Sequence, residues 1–343
     1  MKIYRDYDLT ELNTFGVSAR AKLFTEINDP ADLTELFALP EFKENKKIFL
    51  GGGSNVLFTG DLDGLVVLNN LKGIEVLSET TTEVLIRAMS GEIWHDLVLF
   101  AVDREYWGIE NLAFIPGTVG AAPMQNVGAY VAELKNILEN VETFSTEDGT
   151  KRIFTRDECE LGYRDSIFKN ELKEKYFIFA ITLKLSKIEK KNISYKILQE
   201  YLEKNKIIIK SPRDISDAVT MIRKNKLPDP KIIGNAGSFF KNIFMEQEKL
   251  KNLLQKYPDM PHFREDNLTK IPSAWLIEQC GPANGTSWKG YKLGNVGVHE
   301  RQALVIVNYG GASGEEIKNL AEKITNSVFD KFKIKLIPEV NLI

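Results

Sequence analysis

Apolar and polar positions follow two rhythms along this chain. Short β-rich runs bounded by turn residues, Gly64-Leu65-Val66-Val67-Leu68 and Glu83-Val84-Leu85-Ile86-Arg87, predict strands in the first half. Ile93, Leu97, Phe100 and Ala101 recur at helical spacing and predict a helix, with Gly108 placed to stop it. Strand-like runs return at Val141-Glu142-Thr143-Phe144 and from Tyr176 to Leu183. From Lys184 to Lys210 lysines crowd a polar stretch, which reads as a boundary region or an exposed excursion.

The next helix has a start signal and a stripe. Ser211 can cap it, Pro212 suits its first position, and Asp214 sits where a capping partner belongs. Ile215, Val219 and Ile222 make the buried face, and the same spacing carries on to Lys226, just before Leu227-Pro228-Asp229-Pro230 ends the helix. Further helices are predicted around Leu250, Leu253 and Leu254, and from Ser273 to Cys280 before Gly281. A last long helix opens at the capping-box pair Ser313 and Glu316 and carries Ile317, Leu320, Ile324 and Val328. A strand-like run from Ile334 to Ile343 follows, and no internal repeat or low-complexity segment interrupts the pattern.

At 343 residues the chain predicts more than one compact domain. Hydrophobic residues at 43% and charged residues at 27% supply material for several cores and argue against disorder. A net charge of -3 draws the protein to neither nucleic acid nor an anionic membrane, so an anionic ligand would need local basic residues. The charged start, and the lack of an apolar run of about 18 residues, lead us to expect a cytoplasmic protein. Cys159 and Cys280 lie far apart, and His95, His262 and His299 share no ligand spacing. Neither a disulfide framework, a metal site nor a histidine-based triad is expected.

Five segments could carry chemistry. Gly51-Gly52-Gly53-Ser54-Asn55 follows a strand-like run, where glycines let backbone N–H groups approach a phosphate, or simply make a turn. It is no P-loop, because no Gly-Lys-Ser/Thr follows. The run from Asn111 through Pro116-Gly117-Thr118-Val119-Gly120 to Gln125-Asn126-Val127-Gly128-Ala129-Tyr130 is too apolar for a solvent loop and too rich in Gly, Ala and Pro for a regular helix. It reads either as backbone against a flat ligand or as a tight packing corner. Arg164, within Gly162-Tyr163-Arg164-Asp165-Ser166, can clamp a carboxylate or form a surface salt bridge. Ser238 sits between Gly237 and two aromatics with no adjacent base, so it is a hydroxyl donor or a turn serine rather than a nucleophile. Glu339 lies in an apolar run, where a carboxylate is either solvated at an edge or part of a site.

Taken in order, from Asn13-Thr14-Phe15-Gly16 through these segments and Lys226-Leu227-Pro228-Asp229-Pro230 to Pro338-Glu339-Val340, the chain resembles the UDP-N-acetylenolpyruvoylglucosamine reductase family over nearly its whole length. The resemblance implies an α+β protein with a p-cresol methylhydroxylase-type FAD-binding fold. Two N-terminal subdomains are expected at 1–70 and 71–225, the second including the insert near 184–210. A substrate-binding domain would span 226–333, with 334–343 returning near the flavin. It further implies non-covalent FAD held by Gly51, Gly52, Gly53, Ser54, Asn55, Pro116, Gly117, Thr118, Gly120, Gln125, Asn126, Gly128, Ala129, Tyr163 and Arg223. The partners implied are NADPH and UDP-N-acetylglucosamine enolpyruvate, the product UDP-N-acetylmuramate.

By the same resemblance Ser238 donates a proton, and Arg164 with Glu339 attends the substrate carboxylate. Tyr195, Lys226 and Asn242 bind the sugar nucleotide, Tyr195 marking the branch with an extra substrate-covering loop. The chain departs from the family pattern at Lys196 and Val131, where glycine is expected. Two rivals were weighed: an alcohol or sugar oxidase of the same fold, and a flavin-binding module without turnover. The first lacks a histidine in or beside the Gly51 segment for covalent flavin attachment, and the second has no use for the polar trio.

Overall fold

The computed structural model describes residues 1–265 and 267–343. The chain divides into two compact units, one of Met1–Tyr7, Ala21–Gly53 and Leu62–Asn225, the other of Asp8–Arg20, Ser54–Asp61 and Lys226–Ile343. Helices and sheets in both give the expected α+β class. Among the described residues no helix is long and apolar enough to cross a membrane.

In the first unit Leu62–Asn69 lies between Arg20–Ile27 and Lys47–Leu50, parallel to both. Its Leu65, Val66 and Val67 are all fully buried, as a strand covered on both faces requires. Lys151–Thr155, Leu138–Ser145, Tyr176–Ser186, Glu83–Met89 and Ile74–Glu79 form a second, antiparallel sheet in that order. The predicted strands fall within these elements.

Two helical expectations in this unit need correction. The helix after Glu83–Met89 runs Trp94–Val102, with Ile93 before its first residue and 47% exposed. Its buried face is Trp94, Leu97, Val98, Ala101 and Val102, because the larger Trp94 ring takes the core position and its indole N–H donates to the Leu112 carbonyl at 3.0 Å. Gly108 lies beyond the helix, which ends at Asp103. The lysine-rich insert is not merely an exposed excursion: Lys196–Lys204 is a helix whose Leu198 and Leu202 are buried in the core of the unit.

Pro212–Lys226 forms as its signals predict. The backbone N–H groups of Lys210 and Ser211 donate to Asp214 Oδ2 at 2.8 and 2.9 Å, and Ile215, Val219 and Ile222 are buried. Lys226, however, is exposed, so the buried stripe ends before it. At a helix end an ammonium keeps its hydration more cheaply than it could be buried.

The second unit is built around Gly314–Phe332. Ser313 and Glu316 form the predicted capping box, and Ile317, Leu320, Ile324 and Val328 pack into the core. Two three-stranded antiparallel sheets, Ile243–Met245 with Leu268–Ile271 and Phe263–Glu265, and Lys292–Leu293 with Val296–Val298 and Ile306–Asn308, complete it. The C-terminal run is not one strand. Asn341–Leu342 pairs parallel with Val56–Leu57, while Pro338 makes an isolated antiparallel bridge with Phe240.

Gly314 opens the long helix because nothing larger fits: a Cβ there would lie 1.7 Å from the Phe58 carbonyl oxygen. Gly314→Ala is therefore expected to destabilise this unit by about 1–3 kcal/mol, lowering its calorimetric melting temperature by roughly 2–12 °C despite the better helix propensity of alanine.

Candidate active site

Two glycine segments far apart in sequence meet in the first unit. A Cβ on Gly51 would lie 2.2 Å from Thr118 Oγ1, and one on Gly52 would lie 3.4 Å from the Gly117 Cα. Gly120 is pressed as closely against Ser90, to whose carbonyl its N–H donates at 2.8 Å. Ser90 is itself fixed by the Asn69 amide, which donates to its hydroxyl at 2.7 Å. Gly53 and Gly117 have φ of 59° and 111°, and Gly52 and Pro116 are exposed at the edge of this corner. The missing side chains of Gly51, Gly52 and Gly120 are what lets the two segments pack on each other and on Ser90. Ser54 and Asn55 continue the same turn into Val56–Leu57.

The adjoining loop is organised by Asn126, fully buried with φ of 45°. Its Nδ2 donates to Glu133 Oε2 at 3.1 Å and to the Gly162 carbonyl at 2.9 Å, and its Oδ1 accepts from the Lys135 N–H at 3.0 Å. The Asn126 side chain is thus committed to holding Gln125 and the Gly128–Ala129 strand against the Gly162–Ser166 turn, where Ser166 Oγ donates to the Met124 carbonyl at 2.8 Å. Arg164, at φ of 52°, donates from Nη2 to the Gly128 carbonyl at 2.6 Å, and its guanidinium lies 5.4 Å over the Tyr163 ring.

Arg223 donates from Nε to the Phe114 carbonyl at 3.0 Å. Burial holds its pKa below the ordinary arginine value; the nearby Tyr130 phenol opposes that shift, and the charge of Arg164 adds to it.

Tyr195 immediately precedes the insert helix, and its ring meets that of Tyr130 edge-on at 5.2 Å. Burial raises the pKa of both phenols, with Arg223 opposing the rise at Tyr130. Tyr130 and Val131 have φ of 50° and 64°, conformations that cost about 1–2 kcal/mol for each L-residue. Asn111, nearly fully buried, donates from Nδ2 both to the Tyr130 carbonyl at 3.0 Å and to the Asn192 carbonyl of the insert at 2.9 Å. The sequence reading passed over Asn111 and assigned Tyr130 no role. Their signal was an amide and a phenol at the two ends of a run otherwise apolar or small. Lys196, at the other departure from the family pattern, is an exposed helix residue 3.7 Å from Glu200.

In the second unit Ser238 follows Gly237, whose φ is 69° and whose N–H donates to Asn235 Oδ1 at 2.9 Å. Phe239 and Phe240 are buried and pair with the C-terminal run: the Glu339 N–H donates to the Phe239 carbonyl at 2.8 Å, and the Lys241 N–H to the Ile337 carbonyl at 2.9 Å. Asn55 joins them, its Nδ2 donating to the Glu339 carbonyl at 3.3 Å and its own carbonyl accepting from the Asn341 N–H at 3.0 Å. Ser238, Glu339 and Asn55 are thereby neighbours through backbone pairing. Asn242 Oδ1 accepts from the Ser273 N–H at 3.2 Å, capping Ser273–Glu278, and Lys226 stands exposed as the last residue of its helix.

The glycine corner and its guanidiniums have the character of a flavin-binding oxidoreductase, and residues 21–154 match the family model of the FAD binding domain. Residues 229–343 match that of the UDP-N-acetylenolpyruvoylglucosamine reductase C-terminal domain. The chain is 44% identical to the UDP-N-acetylenolpyruvoylglucosamine reductase of Amoebophilus asiaticus over 100% of both proteins, and 42% identical to that of Flavobacterium johnsoniae, again over 100% of both. The crystal structure of UDP-N-acetylenolpyruvylglucosamine reductase from Thermus caldophilus shares the fold, with a TM-score of 0.65 at 22% identity over 100% of this chain and 99% of that one. The chain belongs to the UDP-N-acetylenolpyruvoylglucosamine reductase family.

The contact between the glycine segments can be tested directly. Gly51→Ala is expected to push Thr118 away and to weaken flavin retention by about tenfold or more, read as the flavin-to-protein absorbance ratio after gel filtration. Adding Thr118→Ala, which removes the clashing hydroxyl, is expected to restore part of the loss; no restoration would mean that the clash is not the cause.

Proposed function

We propose that this protein catalyses NADPH-dependent reduction of UDP-N-acetylglucosamine enolpyruvate to UDP-N-acetylmuramate in the cytoplasm, a step of peptidoglycan precursor synthesis. Bound FAD would supply the relay for hydride transfer from NADPH to carbon 3 of the enolpyruvyl group. Gly51 to Asn55, Pro116 to Gly120 and the Gln125–Ala129 segment hold it through backbone groups, with Tyr163 and Arg223 alongside. The binding is non-covalent, as neither glycine segment contains a Cys or His.

Ser238 supplies the proton that carbon 2 gains, while Arg164 and Glu339 attend the substrate carboxylate, where negative charge grows as the enol forms. Tyr195 and Lys226 hold the diphosphate, and Asn242 stands near the nucleotide end. In this reading residues 1–70 and 71–225 serve the flavin and 226–333 the sugar nucleotide. The observation that carries it is the backbone pairing of Phe239 with Glu339, which supports a shared task for a hydroxyl and a carboxylate that lie far apart in sequence.

The two half-reactions separate the role of Ser238 from a structural one. Ser238→Ala is expected to leave bound FAD and its reduction by NADPH largely intact, while reoxidation by the enolpyruvyl substrate slows by about 10²–10⁴-fold in stopped-flow absorbance. Equal slowing of both halves, or near-normal reoxidation, would remove Ser238 from proton donation.

Lys226→Ala is expected to raise the Michaelis constant for the sugar nucleotide by about ten- to hundredfold, the worth of a charge-assisted hydrogen bond of roughly 1.5–3 kcal/mol. An unchanged constant would take Lys226 out of the diphosphate site.

A further inference from the structure

Val131 is a β-branched residue held at a φ of 64°, directly after Tyr130 at 50°. Left-handed backbone at such a residue persists when its surroundings over-determine it, and strain of this kind collects where a side chain must be aimed. Both carbonyls of this turn accept hydrogen bonds. Asn111 Nδ2 reaches that of Tyr130 at 3.0 Å, and Asn192 Nδ2 reaches that of Val131 at 3.4 Å.

The second donor hydrogen of the Asn111 amide goes to the Asn192 carbonyl at 2.9 Å, three residues before Tyr195. One buried amide therefore fastens the strained turn and the root of the insert to the same point. The rings that follow, Tyr130 from the turn and Tyr195 from the insert, meet edge-on at 5.2 Å.

We propose that Asn111 is a positioning residue that latches the insert onto the Tyr130–Val131 turn, so that Tyr130 and Tyr195 face the sugar nucleotide as one unit. This rests on the reading of Tyr195 as a substrate contact. The amide touches no reacting group; it acts by keeping the turn left-handed and the insert root in register. Its removal frees Val131 to relax to negative φ, which swings Tyr130 away from Tyr195. It also removes the bond that orders the insert before substrate arrives, so more of the ordering is charged to binding.

The test compares Asn111→Ala, Val131→Gly, the double variant and Tyr195→Ala. For each, the Michaelis constant for UDP-N-acetylglucosamine enolpyruvate, the turnover number, the flavin content and the melting temperature are measured. Asn111→Ala is expected to raise the Michaelis constant about tenfold, with turnover at saturation and flavin content near those of the parent. Val131→Gly removes the strain at the turn but not the loss of the bond to the insert, so the double variant should recover part of the affinity and remain weaker than Val131→Gly. A purely structural asparagine would lower the melting temperature, leave the Michaelis constant unchanged and gain nothing from Val131→Gly; that result overturns the proposal. Should Asn111→Ala alone fail to fold, the double variant measured against Val131→Gly carries the comparison, and a double variant weaker than Val131→Gly in substrate affinity supports the latch while equality overturns it. If Tyr195→Ala leaves the Michaelis constant unchanged, the underlying reading of the insert fails; if it raises the constant while Asn111→Ala does not, the latch alone fails.

Discussion

The backbone bonds between Phe239–Lys241 and Ile337–Glu339 are the constraint on which the second unit's candidate groups depend. Pro338 lies opposite Phe240, at a position of an antiparallel pair where neither residue donates across. The Glu339 and Lys241 N–H groups make the bonds on either side, so the proline costs the pairing nothing. Phe239 and Phe240 are buried in the core, which fixes one strand, and the bonds fix the other to it. Ser238 and Glu339, both half-buried, are therefore positioned by groups that take no part in chemistry themselves. The same terminal run continues to the parallel pairing of Asn341–Leu342 with Val56–Leu57, which brings Asn55 to the Glu339 carbonyl.

The first unit solves its positioning problem differently. Where the chain packs closest, Gly51 against the Thr118 side chain and Gly120 against Ser90, it omits the side chain. Where a side chain must be aimed from a sharp turn, it accepts left-handed backbone at Phe114, Asn126, Tyr130, Val131 and Arg164. The buried amides of Asn126 and Asn111 supply the hydrogen bonds that offset part of that cost. Arg223 is carried by the helix Pro212–Lys226 and bonds the carbonyl of the left-handed Phe114, whereas Arg164 is itself a left-handed turn residue.

How much of this could be read from the sequence depends on how local its cause is. The helices Pro212–Lys226 and Gly314–Phe332 were legible because a cap and an apolar stripe act within a few turns. Lys226 was misplaced because periodicity reports a face and not its depth, and a stripe can leave the core in its last turn. The insert helix was hidden because its lysines outweigh Leu198 and Leu202, although the spacing of those two leucines is itself helical. The strand-like pattern of the C-terminal run is real alternation, but the run divides between two partners, residues 337–339 pairing with 239–241 and Asn341–Leu342 with Val56–Leu57. Of the candidate site, the glycine segments stood out by composition, whereas the neighbourhood of Ser238 and Glu339 came from resemblance, since long-range pairing leaves no local mark. The left-handed residues other than glycine carried no signal at all, because tertiary hydrogen bonds and not residue preference put them there.

The candidate groups of the two units therefore respond differently to change. Ser238 and Glu339 are held by main-chain bonds anchored on buried aromatic rings, so replacing either side chain leaves its support in place. The turns that carry Arg164 and Tyr130 are held by side-chain amides, each satisfying several partners at once, and the loss of one amide leaves more than one acceptor without its donor. Substitutions at Asn111 or Asn126 therefore act on several aimed groups together, and their effects on those groups are expected to be non-additive with direct substitutions at Tyr130 or Arg164.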